Sequence, residues 1–107
     1  MNDLKVNKSE AWIDNMPSPG APNSILDVAL EITSKSGSKY YLTKKIPQGI
    51  NPSILMLELL RSSIRILIKN PQPVSYSESA GIGQYTKIEI YNEGALVSKI
   101  TDIKVAS

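Results

Sequence analysis

A chain of 107 residues is about the length of one domain, and 1–107 reads as a single one, long enough to bury a core. Its 41% hydrophobic and 21% charged content is that of a globular protein, and 12 basic against 10 acidic residues leave a net charge of only +2, too small for overall attraction to nucleic acid or anionic lipid. The absence of cysteine and histidine excludes disulfides and thiolate metal sites, and removes the commonest general base and nucleophile.

In chain order, Met1-Asn2-Asp3-Leu4-Lys5 lacks a basic segment followed by an apolar run, so no leader is expected there. Leu4 to Ile13 reads as an edge strand ending on Trp12, the single tryptophan. Asn15 to Asn23, with three prolines in nine residues, reads as an irregular loop. Leu26, Val28, Leu30 and Ile32 then alternate with Asp27, Ala29, Glu31 and Thr33, the pattern of a half-buried strand. Ser34 to Ser38 is turn material, and Lys39 to Ile46 is expected to return as the second strand of a hairpin.

From Pro52 to Lys69 the pattern predicts an amphipathic helix. Glu58, Arg61, Ser62, Arg65 and Lys69 recur at spacings of three and four, Asn51-Pro52 supplies a start, and Asn70-Pro71 a stop. A competing reading ends the helix at Leu60 and makes Ile64–Ile68 a strand. The apolar arc is wider than one sheet face requires, which points to a neighbour, either another protein or a second copy.

Asn70 to Gly83 reads as a second irregular loop. The run Ser79-Ala80-Gly81-Ile82-Gly83-Gln84 has glycines, but they precede a strand rather than open a helix, so it is not expected to cradle phosphate. Thr86 to Tyr91 alternates as a strand, Asn92-Glu93-Gly94 turns the chain, and Leu96–Val105 completes a second hairpin. The expected fold is therefore α+β, in the order β-β-β-α-β-β. An antiparallel sheet of about four or five strands would carry one helix across a face; the alternative is an all-β sandwich.

The functional expectation is a non-enzymatic interaction protein of the accessory, inhibitor or immunity type. It would bind a protein partner and self-associate as a homodimer, without cofactor or metal. The acids are scattered over outward strand positions and turns, with no calcium-loop spacing. Candidate partner-binding residues are Trp12, Met16, Tyr41, Tyr85 and Tyr91, since aromatic side chains are enriched at binding hot spots; for Trp12 the first expectation is that it closes one end of the core, and a partner anchor is the second. The alternative is single-stranded nucleic-acid binding, in which Lys39, Lys45 and Lys87 join Tyr41, Tyr85 and Tyr91 on one sheet face. The longest apolar stretch is broken by charges, so no membrane span is expected and a cytoplasmic setting is.

Overall fold

Between Ile25 and Ser34 the alternating residues form a ten-residue strand in which Leu26, Val28, Leu30 and Ile32 are buried. The structure, a computed structural model, describes residues 3–14, 24–64 and 68–106. Among these the chain forms β1 (Leu4–Asp14), β2 (Ile25–Ser34), β3 (Tyr40–Lys44), β4 (Ile54–Arg61), β5 (Gln72–Ser79), β6 (Lys87–Asn92), β7 (Ala95–Ile100) and β8 (Ile103–Ala106). They make two four-stranded sheets, ordered β5-β2-β1-β8 and β3-β4-β6-β7. Most neighbours are antiparallel, while β1–β8 and β4–β6 are parallel.

The two sheets face each other over one core. Leu26, Val28, Leu30 and Ile32 of β2, with Ala11 and Ile13 of β1, oppose Leu55, Leu57 and Leu59 of β4 and Ile88 and Ile90 of β6. Tyr40, Leu42 and Val74 close the side where β3 lies near β5. There Gln72, itself buried, takes the place of a ladder partner. Its side-chain oxygen accepts from Tyr40 N–H at 3.1 Å and its amide donates to the Ser38 carbonyl at 2.9 Å.

The expected helix is overturned: no helix occurs among the described residues, and the all-β alternative fits. Leu55, Leu57 and Leu59 point inward while Ile54, Met56 and Leu60 point outward, so the first part of that segment is a strand apolar on both faces. Without polar–apolar alternation, a strand and a buried helix carry the same signal. Asn51-Pro52 opens a turn instead of a helix. The Asn51 side-chain oxygen accepts from Ser53 N–H at 3.0 Å and its carbonyl from Ile54 N–H at 3.2 Å, the local bonding by which asparagine also initiates turns. The latter half of the expected helix includes 65–67, outside the described residues.

The first expected hairpin also fails, because β2 pairs with β1 and β5 whereas β3 pairs with β4 in the other sheet. Residues expected to form an irregular loop supply β5. The second hairpin is present as β6–β7, closed by Glu93 (φ 51°) and Gly94 (φ 80°). Positive φ at both central residues makes the reversed turn whose twist suits a two-residue hairpin. The expected last strand divides into β7 and β8, which lie in different sheets. Among the described residues no helix is long and apolar enough to cross a membrane.

Candidate interaction surfaces

The outer side of the β3-β4-β6-β7 sheet is set by strand parity. Because Leu42, Leu55, Leu57, Leu59, Ile88 and Ile90 point inward, Tyr41 and Thr43 of β3, Ile54, Met56, Glu58 and Leu60 of β4, and Lys87, Glu89 and Tyr91 of β6 point outward. Register places Tyr41 beside Leu60, Glu58 beside Tyr91, and Met56 beside Glu89. Lys45 reaches over this face from just beyond β3, its ammonium 5.9 Å from the Tyr91 ring centroid, within cation–π range.

Of the residues expected on a lysine–tyrosine face, Tyr41, Tyr91, Lys45 and Lys87 are thus on one side of one sheet. Lys39 is exposed one residue before β3, at the opposite end of that strand from Lys45. Tyr85 departs from the expectation. It precedes β6, so strand parity does not govern it, and its phenol turns inward to donate to Glu78 at 2.8 Å.

The basic groups are accompanied by acids. Lys87 pairs with Glu89 at 3.8 Å, and Glu89 also accepts from the Tyr91 phenol at 2.8 Å. That hydrogen bond, followed by partial burial, raises Tyr91 above the ordinary phenol value. Glu58 lies between Thr43 and Tyr91. The face is amphipathic and nearly neutral rather than a basic platform.

Trp12 is separated from these tyrosines by the thickness of the sandwich. It alternates with buried Ala11 and Ile13, pairs in register with Asp27 and Lys104, and is half-buried on the outer side of the other sheet. Met16 lies outside the described residues.

Composition and periodicity missed a second surface, at the end of the sandwich where the 45–53 and 80–86 loops meet through Thr86 N–H donating to the Ser53 carbonyl at 2.8 Å. In the 45–53 loop, Gln48 acts as a substitute strand residue. Its side-chain oxygen accepts from Met56 N–H at 2.9 Å, and its amide donates to the carbonyls of Met56, at 2.8 Å, and Lys45. Gly49 packs closely against the Met56 sulfur, where a Cβ would come within 3.1 Å. The loop is therefore held by its own polar groups, yet Ile46 and Ile50 are 88% and 104% exposed, and Ile82 of the neighbouring loop is also exposed. The signal was available: isoleucines flanked by proline, glycine and asparagine sit in turn material that has no core to enter.

Three of the strand edges are blunted. The uncovered half of β1 carries Lys5, Lys8 and a bulge between Val6 and Lys8; β5 carries Pro73; and β7 has a register shift opposite Ile90 and Tyr91. A cleft of about 290 Å³ between β1 and β7 is lined by Ser9, Glu10, Lys99, Asp102 and Lys104, but its carboxylates are exposed rather than buried in an acid–base pair. Among the described residues no three His, Cys, Asp or Glu side chains are grouped to hold a metal ion. No family model, curated protein or solved structure matches the chain.

Proposed function

We propose that the protein is a non-enzymatic binding module that engages a protein partner through the loop end of its sandwich. The observation that carries this reading is the pair Ile46 and Ile50, held out in solvent by a loop whose backbone is bonded through Gln48 and Asn51. Apolar side chains on a preorganised support lose little conformational freedom on docking, and each buried isoleucine can contribute about 1.5–3 kcal/mol. The 45–53 and 80–86 loops contain one charge between them, Lys45, so little charge is desolvated when they are covered. A cytoplasmic setting is the accompanying reading for this cysteine-free chain.

The single-stranded nucleic-acid alternative receives less support, because Lys87 and Tyr91 are already engaged by Glu89. Titration with a labelled mixed-sequence oligonucleotide at low salt tests it: salt-sensitive binding lost in Tyr41→Ala would restore it. The preferred reading is tested by placing a photocrosslinking residue at position 50 and, as a control at the far end, position 64 in the native host. A partner crosslinked from position 50 is then purified and titrated with the wild type and Ile46→Ser/Ile50→Ser. A loss of affinity of about tenfold or more supports the reading. Crosslinking from both positions alike, or unchanged affinity in the double variant, rejects it.

A further inference from the structure

We propose that the donors grouped around Asp3 form a binding site for a small monocarboxylate, of the size of acetate, which the chain fills with its own side chain. The observation is the number and direction of those donors. The Asp3 carboxylate accepts from the Ser36 N–H, from the hydroxyls of Ser34, Ser36 and Tyr40, and from the Arg61 guanidinium, all between 2.7 and 3.2 Å. All but the Ser36 N–H converge on one oxygen, Oδ2, the arrangement by which oxyanions are held. Ser34 and Tyr40 are themselves buried. Ser38 sets the direction of two of the protons. Its N–H donates to the Ser34 hydroxyl oxygen at 3.2 Å, and its hydroxyl lies 2.7 Å from that of Ser36. The Ser36 proton is given to Asp3, so Ser38 must be the donor there, and both hydroxyls are left aimed at the carboxylate.

The array is held by bonds in which Asp3 takes no part. Asn70 grips Ser34 on both sides, accepting from its N–H at 3.0 Å and donating to its carbonyl at 2.7 Å. The turn closes by Gly37 N–H on the Ser34 carbonyl at 3.1 Å, with Gly37 at a positive φ of 73°. The Gly37 carbonyl accepts from Ile68 N–H and the Lys39 carbonyl from Ser62 N–H, each at 2.8 Å, while Gln72 holds Ser38 and Tyr40. Arg61 is steadied over the Tyr40 ring, 5.9 Å from its centroid. The backbone of residue 3 has its own anchor, because its carbonyl accepts from Lys35 N–H at 2.8 Å. A glycine at position 3 therefore leaves the chain in place and frees the room of a methylene and a carboxylate, which is that of acetate. Arg61 is the one charged donor in contact, so the site matches a single negative charge and a planar pair of oxygens rather than a tetrahedral phosphate.

Urea unfolding of Asp3→Gly at pH 7, in sodium acetate against sodium chloride at equal ionic strength, tests the proposal. Acetate is expected to raise the folded-to-unfolded ratio along a saturable curve, half-complete on the order of tens of millimolar. At ten times that concentration the gain is about tenfold. Wild type and Asp3→Asn, whose own side chains occupy the site, should show no gain over chloride. Asp3→Gly/Arg61→Gln should need about ten times more acetate, and inorganic phosphate should give less than acetate. Should Asp3→Gly fail to fold in chloride, Asp3→Ala carries the same titration with formate, which matches the carboxylate that alanine lacks. The proposal is overturned if neither Asp3→Gly with acetate nor Asp3→Ala with formate gains over chloride. An equal gain in wild type, which marks a bulk salt effect, overturns it too, as does phosphate acting as strongly as acetate.

Discussion

The carboxylate of Asp3 lies 3.2 Å from the guanidinium of Arg61, and this ion pair ties the residue before β1 in one sheet to the end of β4 in the other. Asp3 also accepts from the hydroxyls of Ser34 at 2.8 Å, Ser36 at 2.9 Å and Tyr40 at 2.9 Å, and from Ser36 N–H at 2.7 Å. Burial pushes its carboxyl upward, but the Ser34 and Tyr40 hydroxyls and the Ser36 amide and hydroxyl outweigh it and hold Asp3 well below the usual carboxylate range. A depressed folded value means that the stabilisation is full above the unfolded carboxylate value of about 3.9 and is lost as pH falls toward the folded one. Asp3→Asn is therefore expected to cost about 2–3 kcal/mol at neutral pH, measured by urea unfolding, with the gap to wild type narrowing below about pH 4. A gap that is the same at pH 7 and about pH 3 would show that the charge on Asp3 does not hold the sheets together.

Gln72 bridges the sheets a second time, and its two bonds serve backbone groups of Tyr40 and Ser38 that have no strand beside them. Gln72→Leu keeps the buried volume but leaves a donor and an acceptor unmet. It is expected to lower stability by about 2 kcal/mol, while Gln72→Glu, which retains the acceptor for Tyr40 N–H, loses the bond to Ser38 and adds a buried charge. Thermal unfolding should rank wild type above both. A Leu variant as stable as wild type would mean that water replaces Gln72 at no cost.

How much of this was legible varies from residue to residue. The inward set Leu26, Val28, Leu30 and Ile32 and the β6–β7 turn were readable because alternation and turn chemistry are local. β4 was not, because apolar residues on both of its faces erase the period of two. β5 was hidden for the opposite reason: its inward positions include Gln72 and Glu78 and its outward ones are proline and serine, so no apolar run marks it. The shared face of Tyr41, Tyr91, Lys45 and Lys87 followed from the buried Leu42 and Ile88. The separation of Trp12 from that face depends on which sheet β1 joins, a long-range pairing that no local pattern encodes.

Ile46 and Ile50 contribute no burial within one chain, so their replacement tests whether their exposure serves binding alone. Ile46→Ser/Ile50→Ser is expected to change unfolding stability by less than about 0.5 kcal/mol, within the usual surface range. Ile88→Ala, by contrast, empties a fully buried position and should cost about 2–5 kcal/mol. Equilibrium unfolding in urea distinguishes the two. A large loss in the serine variant would mean that the loop isoleucines support the fold and would remove the basis for a partner at that end.

At the corner between β3 and β5, Glu78 accepts from the phenols of Tyr76 at 2.7 Å and Tyr85 at 2.8 Å, with the Lys44 ammonium 3.6 Å away. Burial first, and then the bond to the Glu78 carboxylate, raises both phenols above the ordinary value. Glu78→Gln is therefore expected to move both toward about 10 in a spectrophotometric titration, because a neutral acceptor no longer opposes phenolate formation. The linkage follows with its sign. A raised folded value stabilises fully below about pH 10 and is lost as pH rises through the folded values, so the wild type should lose more stability in alkali than Glu78→Gln. Identical phenol titrations in the two proteins would show that Glu78 does not hold these protons, and the corner would then owe its order to apolar packing of the rings.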